Sequence, residues 1–264
     1  PPDRRLRTPA TPRAHRAHHS LTLPVHAALQ IAFAGVGGNG QSELAGAIMG
    51  LPGDVEGTIE LAGFGDLRAA TPAQRRALQI ASIPADRHGY ALAGSLSVAE
   101  NFGIGQVHAG RYGPLGWLRR HRLVADARTA IAAFDVQGVR NPAQKAALLS
   151  GGNAQKLVIA REFSKSPRLI LVHSPSRGLD VRASAEVHAR LLAARDAGAA
   201  VLLISEDLDE LMQLADRVAV ISGGQLVFET PAEGADRKLL GAHMAGGHGD
   251  EAVQREPQGE EAVA

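Results

Sequence analysis

The segment GVGGNGQSEL, Gly35 to Leu44, carries the residue types of a phosphate-binding loop. Gly35, Gly38 and Gly40 let the backbone come close to an anion, and successive N–H groups with the end of a following helix form an anion-binding concavity. Ser42 stands where a Mg2+-ligating hydroxyl belongs, but the pattern G-x-x-x-x-G-K-S/T fails at its lysine, which is Gln41 here. On these residues alone the loop reads equally as an anion site or as a structural turn. Glu43, in the first turn of the helix that follows, suits the helix dipole better than it suits catalysis. A second anion-binding end lies in LLSGGNAQKLVIAREF, Leu148 to Phe163. There Ser150, Gly151 and Gly152 precede a helix whose first amides have no partner within it. Ser and Gly are ordinary caps, yet Ser-Gly-Gly-Asn153 with Gln155, then a helix, a proline and an apolar strand, is more specific than capping requires. His173 beside Ser174 suggests a base and a nucleophile, but adjacent strand residues point to opposite faces. His15, His18 and His19 suggest a metal, and a solvated tail is the better account.

Elements must hold these groups. ALQIAFAG (Ala28 to Gly35) predicts a short buried strand entering the glycine loop, and SELAGAIMG a helix stopped at Gly50. Residues 54 to 84 read as short strands and turns, and residues 97 to 147 as mostly helical around the Gly-rich interruption GIGQVHAGRYGPLG. A helix (Asn153 to Ser164), a strand (Arg168 to Val172), a helix (Ala183 to Asp196), a strand (Ala200 to Ser205) and a helix (Leu208 to Leu214) follow. RVAVISGGQLVFE then predicts a hairpin about Gly223 and Gly224. Strands alternating with helices imply an α/β fold with a mainly parallel sheet covered on both faces.

Composition removes several classes. With 264 residues and 45% apolar content the chain can build a substantial core. The absence of cysteine excludes a disulfide framework, a thiol nucleophile and cysteine-ligated metal. The longest apolar runs, LILV and AAVLLI, fall far short of the roughly 20 residues that span a bilayer, and the first residues have no apolar signal core. Charge is concentrated in the tails: residues 1 to 20 carry +4 and residues 246 to 264 carry −4, leaving a body of +1. With aromatics at 3% and no basic patch, nucleic acid is not the expected partner. Both tails read as disordered, and a start without Met fits a piece of a longer chain. The expected layout is a disordered or truncated segment 1–27, a nucleotide-binding domain 28–245 with a helical subdomain about 85–165, and an acidic tail 246–264.

Together these segments resemble the nucleotide-binding domains of ABC transporters. LSGGN (Leu149 to Asn153) is similar to their signature motif and RLILVHSP (Arg168 to Pro175) to their Walker B strand. SRGLD (Ser176 to Asp180) is similar to the D-loop, with Gly178, Leu179 and Asp180, and VLLISEDLDEL (Val201 to Leu211) to the switch segment. The resemblance covers roughly residues 28 to 230. It is closer to the second, degenerate half of double-domain ATPases of sugar and nucleoside importers, through GNGQSEL, IPADRH (Ile83 to His88), SVAENF (Ser97 to Phe102), PSRGLDVRA and SEDLDEL. The resemblance implies a P-loop NTPase fold with a helical subdomain, ATP and Mg2+ as ligands, and a place at the cytoplasmic face of the cell membrane. It also implies as partners membrane permease subunits, a catalytic nucleotide-binding half in the same or a separate chain, and indirectly a substrate-binding protein. Pro84, Asp86 and Arg87 take the place of the family's glutamine loop and are implied as coupling residues. The family's N-terminal antiparallel sheet, with an aromatic for stacking on adenine, has no counterpart in residues 1–27.

The departures fall around one site. Gln41 replaces the phosphate-binding lysine, His173 and Ser174 replace the Walker B aspartate and glutamate, and Glu206 replaces the switch histidine. A general base contributes about 10²–10⁴ in rate and a preorganised contact about 10²–10³. These factors do not simply multiply, but their joint loss predicts negligible hydrolysis at this site. The loop amides and Ser42, as a weak Mg2+ ligand, leave weak, non-hydrolysed ATP as the expectation. In the family two domains pack head to tail, so Ser150, Gly151 and Gly152 are expected to complete a partner's site. A regulatory nucleotide-binding module and a non-functional fragment are the alternatives.

Overall fold

A computed structural model describes residues 25–246 except 54, 62–63, 108 and 115–116. The expected disordered tails, including His15, His18 and His19, lie outside the described residues. In chain order the elements are β1 (Gln30–Ala34), α1 (Gln41–Met49), β2 (Glu60–Leu61), β3 (Gly65–Asp66), α2 (Pro72–Ala77), β4 (Ile80–Ile83), α3 (Arg87–Tyr90), α4 (Val98–Gly103) and α5 (Arg120–Ala133). After a 3-10 turn at Ala146–Leu148 come α6 (Gly151–Phe163), β5 (Leu169–His173), α7 (Val181–Asp196), β6 (Ala200–Ser205), α8 (Leu208–Leu214), β7 (Arg217–Ser222), β8 (Gln225–Pro231) and α9 (Arg237–Met244). No helix of the described residues is long and apolar enough to cross a membrane.

The main sheet runs β4-β5-β6-β1-β7-β8. All its pairings are parallel except the β7–β8 hairpin. Strand alternation decides the two cores. Ala32, Ala34, Val201, Leu203, Val218 and Val220 face the larger cluster with helices α4 to α9, whereas Ile31, Phe33, Leu202, Ile204 and Ile221 face Ile48 of α1. Ala34 pairs with Ser205, and His173 with Ile204. The C-terminal ends of β1, β5 and β6 are therefore level, and the loops leaving them meet at one edge, where open parallel sheets hold ligands.

Several boundaries differ from the sequence reading. Residues 54–84 are not only strands and turns: α2 forms because Thr71 and Gln74 make a reciprocal capping box and Pro72 opens the helix. Among the described residues of 97–147 only α4, α5 and the 3-10 turn are helical, because glycines at positive φ, such as Gly105, Gly110 and Gly113, break the stretch. α6 begins at Gly151 rather than Asn153, since Ser150 is its cap. α7 begins at Val181 rather than Ala183, since the Asp180 carboxylate accepts the Ala183 N–H at 2.8 Å.

Candidate functional site

The phosphate loop is built at the end of β1. Gly40, at φ 106°, caps α1 without offering a side chain, so the first amides of α1 stay available to an anion. Gln41 turns inward. It is 5% exposed, its Nε2 donates to the Val36 carbonyl at 3.2 Å, and a methyl group on Gly35 would fall 2.1 Å from that Nε2. Gly35 is thus required for space as well as for backbone approach. Glu206 places Oε1 3.1 Å from where a Cβ on Gly37 would stand, which sets a carboxylate against the loop. Asn39 latches the loop to the far end of the domain: its carbonyl accepts the Gly224 N–H at 3.0 Å, its Oδ1 accepts the Gly223 N–H at 3.4 Å, and its Nδ2 donates to the Met244 carbonyl at 3.4 Å.

His173 ends β5, half-buried. Burial pushes its imidazole below the usual range, Glu206 draws it back up, and Arg177 pushes it down again, for a net lowering that favours the neutral ring. Ser174 is not a strand residue as expected. It leaves β5 at φ 49° and its N–H donates to the Ile204 carbonyl at 2.7 Å, so the opposite-face relation does not apply to the pair. A cavity of about 320 Å³ lies between α1, β4 and α6, lined among others by Ser42, His173, Pro84 and Asp86. Ser42 and Glu43 are exposed. Among the described residues no group of three or more His, Asp or Glu is placed to hold a metal ion. The backbone at α1 suits phosphate, but Ser42 without strand carboxylates does not suit catalytic Mg2+.

The second region gathers about α6. Ser150 Oγ accepts from Asn153 Nδ2 at 2.9 Å, and Asn153 Oδ1 accepts the Gln137 N–H at 2.7 Å. Gln155, buried, donates from Nε2 to the Pro175 carbonyl at 3.4 Å. A methyl group on Gly152 would come 3.2 Å from the Gly178 carbonyl and 3.5 Å from Leu179, so the segment Ser176 to Asp180 packs onto the start of α6. One contributor escaped the sequence reading, and one named residue makes a contact that was not foreseen. Glu210 meets His188 at 2.9 Å; burial pushes its carboxyl up, but the polar groups of His188, Ser205 and Ser176 around it outweigh this and hold it low. Its burial in α8 is the signal available from the helical period. Arg87, expected at the coupling segment, also reaches Gly151, a long-range contact with no local sequence signal. Pro84 and Asp86 remain by the cavity.

The ABC transporter family model matches residues 18–177. The chain belongs to the ABC transporter family. This ABC domain is 39% identical over 236 residues to a glucose import ATP-binding protein of Haloferax volcanii, covering 89% of this chain and 43% of that protein. It is 40% identical over 228 residues to a guanosine import ATP-binding protein of Bacillus subtilis, covering 86% of this chain and 44% of that protein. The chain thus spans less than half the length of these curated relatives. Among solved structures, an ATP-binding subunit of an ABC transporter superposes with a TM-score of 0.69 at 22% identity, covering 88% of this chain and 95% of that one. A dimeric ATP-binding cassette bound to ADP and Pi gives 0.67 at 19% identity, covering 81% and 89%. The fold is that of the ABC ATPases, a P-loop NTPase sheet flanked by helices.

Proposed function

We propose that this ABC domain is the non-catalytic half of an importer ATPase for sugars or nucleosides, and that its signature motif completes a partner's ATP site. The observation that carries the reading is the contrast between its two anion-binding ends. At α1, Gln41 brings no charge and is folded inward, and Glu206 adds a negative charge where phosphate would approach. At α6, Ser150, Gly151 and Gly152 are all present and the helix runs 13 residues, long enough for a developed dipole. The domain's own loop retains ATP weakly through the α1 amides, without Mg2+-dependent hydrolysis. The import function is inferred from the relatives, a glucose and a guanosine import ATP-binding protein. It implies permease subunits, an indirect substrate-binding protein and a place on the cytoplasmic face of the membrane. Pro84 and Asp86 face the cavity beside α3, and a permease segment seated there would press on the element that carries Arg87.

The test uses an assembly of this chain with a catalytic half. Ser150→Arg abolishes its ATPase by filling the phosphate-facing end of α6, whereas Gln41→Ala changes turnover little. A larger loss from Gln41→Ala than from Ser150→Arg would refute the asymmetry.

A further inference from the structure

Arg87, expected at the coupling segment, reaches well beyond it. Asp86 caps the single turn of α3, its Oδ1 accepting the His88 and Gly89 N–H groups at 3.1 and 2.9 Å, and this fixes the direction in which Arg87 leaves. The guanidinium crosses to the start of α6. A methyl group on Gly151 would lie 2.6 Å from Nη2, and one on Gly178 would lie 3.6 Å from it. Nη1 reaches the Arg177 carbonyl only at 3.4 Å, and Nε is buried with no hydrogen-bond partner. No carboxylate forms an ion pair with Arg87 among the described residues.

This is an unfavourable place for a fixed positive charge. The N-terminus of α6 is the positive end of its dipole, so Arg87 and the helix repel each other while nothing negative lies between them. A residue serving only as a bracket between α3 and the Ser176–Asp180 segment would do better uncharged, because one long hydrogen bond does not offset a partly desolvated guanidinium. The arrangement makes sense when an anion arrives. We propose that Arg87 faces the nucleotide phosphates held by the partner and supplies them, beside Ser150, with a positive charge in trans. This rests on the trans-completion reading above. Arginine suits the task because its charge is permanent and its planar fork matches phosphate oxygens.

The experiment measures ATPase against ATP concentration for the assembly of this chain with a catalytic half, with wild type, Arg87→Gln, Arg87→Lys and Ser150→Arg in parallel, and the thermal unfolding of each isolated chain. Arg87→Gln is expected to lower kcat/KM by about 10²-fold, with Arg87→Lys recovering part of the loss. The unfolding temperature of Arg87→Gln stays equal to that of wild type or rises, because a repulsion has been removed. Unchanged turnover in Arg87→Gln where Ser150→Arg abolishes it overturns the role of Arg87 and leaves the trans reading standing. So does a loss of turnover that Lys does not rescue and that tracks a lower unfolding temperature, which marks a bracket. Unchanged turnover in Ser150→Arg itself sinks the trans reading, and the Arg87 proposal with it.

Discussion

Gln41 and Glu206 bear on one glycine loop by different means. The amide of Gln41 donates one hydrogen to the Val36 carbonyl, so the residue helps hold the loop in shape and brings no charge to it. Glu206 adds charge of the wrong sign beside Gly37. The loss of the lysine was legible in the sequence; the inward turn of Gln41 was not, because it depends on the room left by Gly35. Arg87 was legible only as part of a segment, since its partner carbonyl at Arg177 lies 90 positions away. His173 gives a pH test at this scale. Its folded pKa is lowered, chiefly by burial, so the unfolded chain, near 6.5 for histidine, binds the proton more readily than the folded one. Its contribution to stability is therefore intact above about pH 6.5 and is lost as pH falls through the lowered folded value. Urea midpoints measured across this range should decline with falling pH, and His173→Asn should flatten part of the decline. An identical profile in the variant would show that His173 is not desolvated.

At the scale of elements, the junction between α1 and α2 depends on one buried cation. Arg75 is 1% exposed; its guanidinium donates to the carbonyls of Ala70 at 3.0 Å, Ala47 at 2.6 Å and Leu67 at 2.6 Å, and also to that of Ile48. Ala47 and Ile48 lie in the last turn of α1, whose carbonyls have no partner within the helix. A side chain fixed on α2 thus serves as the C-terminal cation of the helix that follows the phosphate loop. Ala47 and Leu67 keep the Gly50 and Ala70 N–H groups as donors, so Arg75→Met strands the carbonyls of Ala70 and Ile48 at about 1–3 kcal/mol each, and urea denaturation should show a loss of at least about 2 kcal/mol. A loss near zero would mean that water replaces the guanidinium. α2 was missed in the sequence because its six residues carry no apolar period. The Thr-Pro-x-Gln run that starts it is a capping signal, readable once helix ends rather than helix faces are sought. The strands β6 and β7 were legible as short apolar runs, and the hairpin turn as the Gly223–Gly224 pair between two β-rich runs.

Over the whole molecule, alternation of strands and helices implied a parallel sheet, but the order β4-β5-β6-β1-β7-β8 was not legible. Order is decided by which apolar faces meet across long separations, and local pattern is silent on that. Helices α3 to α6 leave the sheet between β4 and β5, yet Leu157, Val158 and Ala160 of α6 share a core cluster with Leu123 and Ala127 of α5 and with Val172 and Leu203 of the sheet. The helical part should therefore not open on its own. Native-state amide exchange should give α5 and β6 protection of similar free energy; markedly faster exchange in α5 would show a separable unit. The Asn39 latch adds a constraint of another kind. Because the phosphate loop is tied to the turn at Gly223 and Gly224 and to the carbonyl of Met244, the first loop of the domain takes its shape from its last helix. On a ribosome the latch can close fully only after α9 has emerged, so the final shape of that loop is among the last features this domain acquires during synthesis.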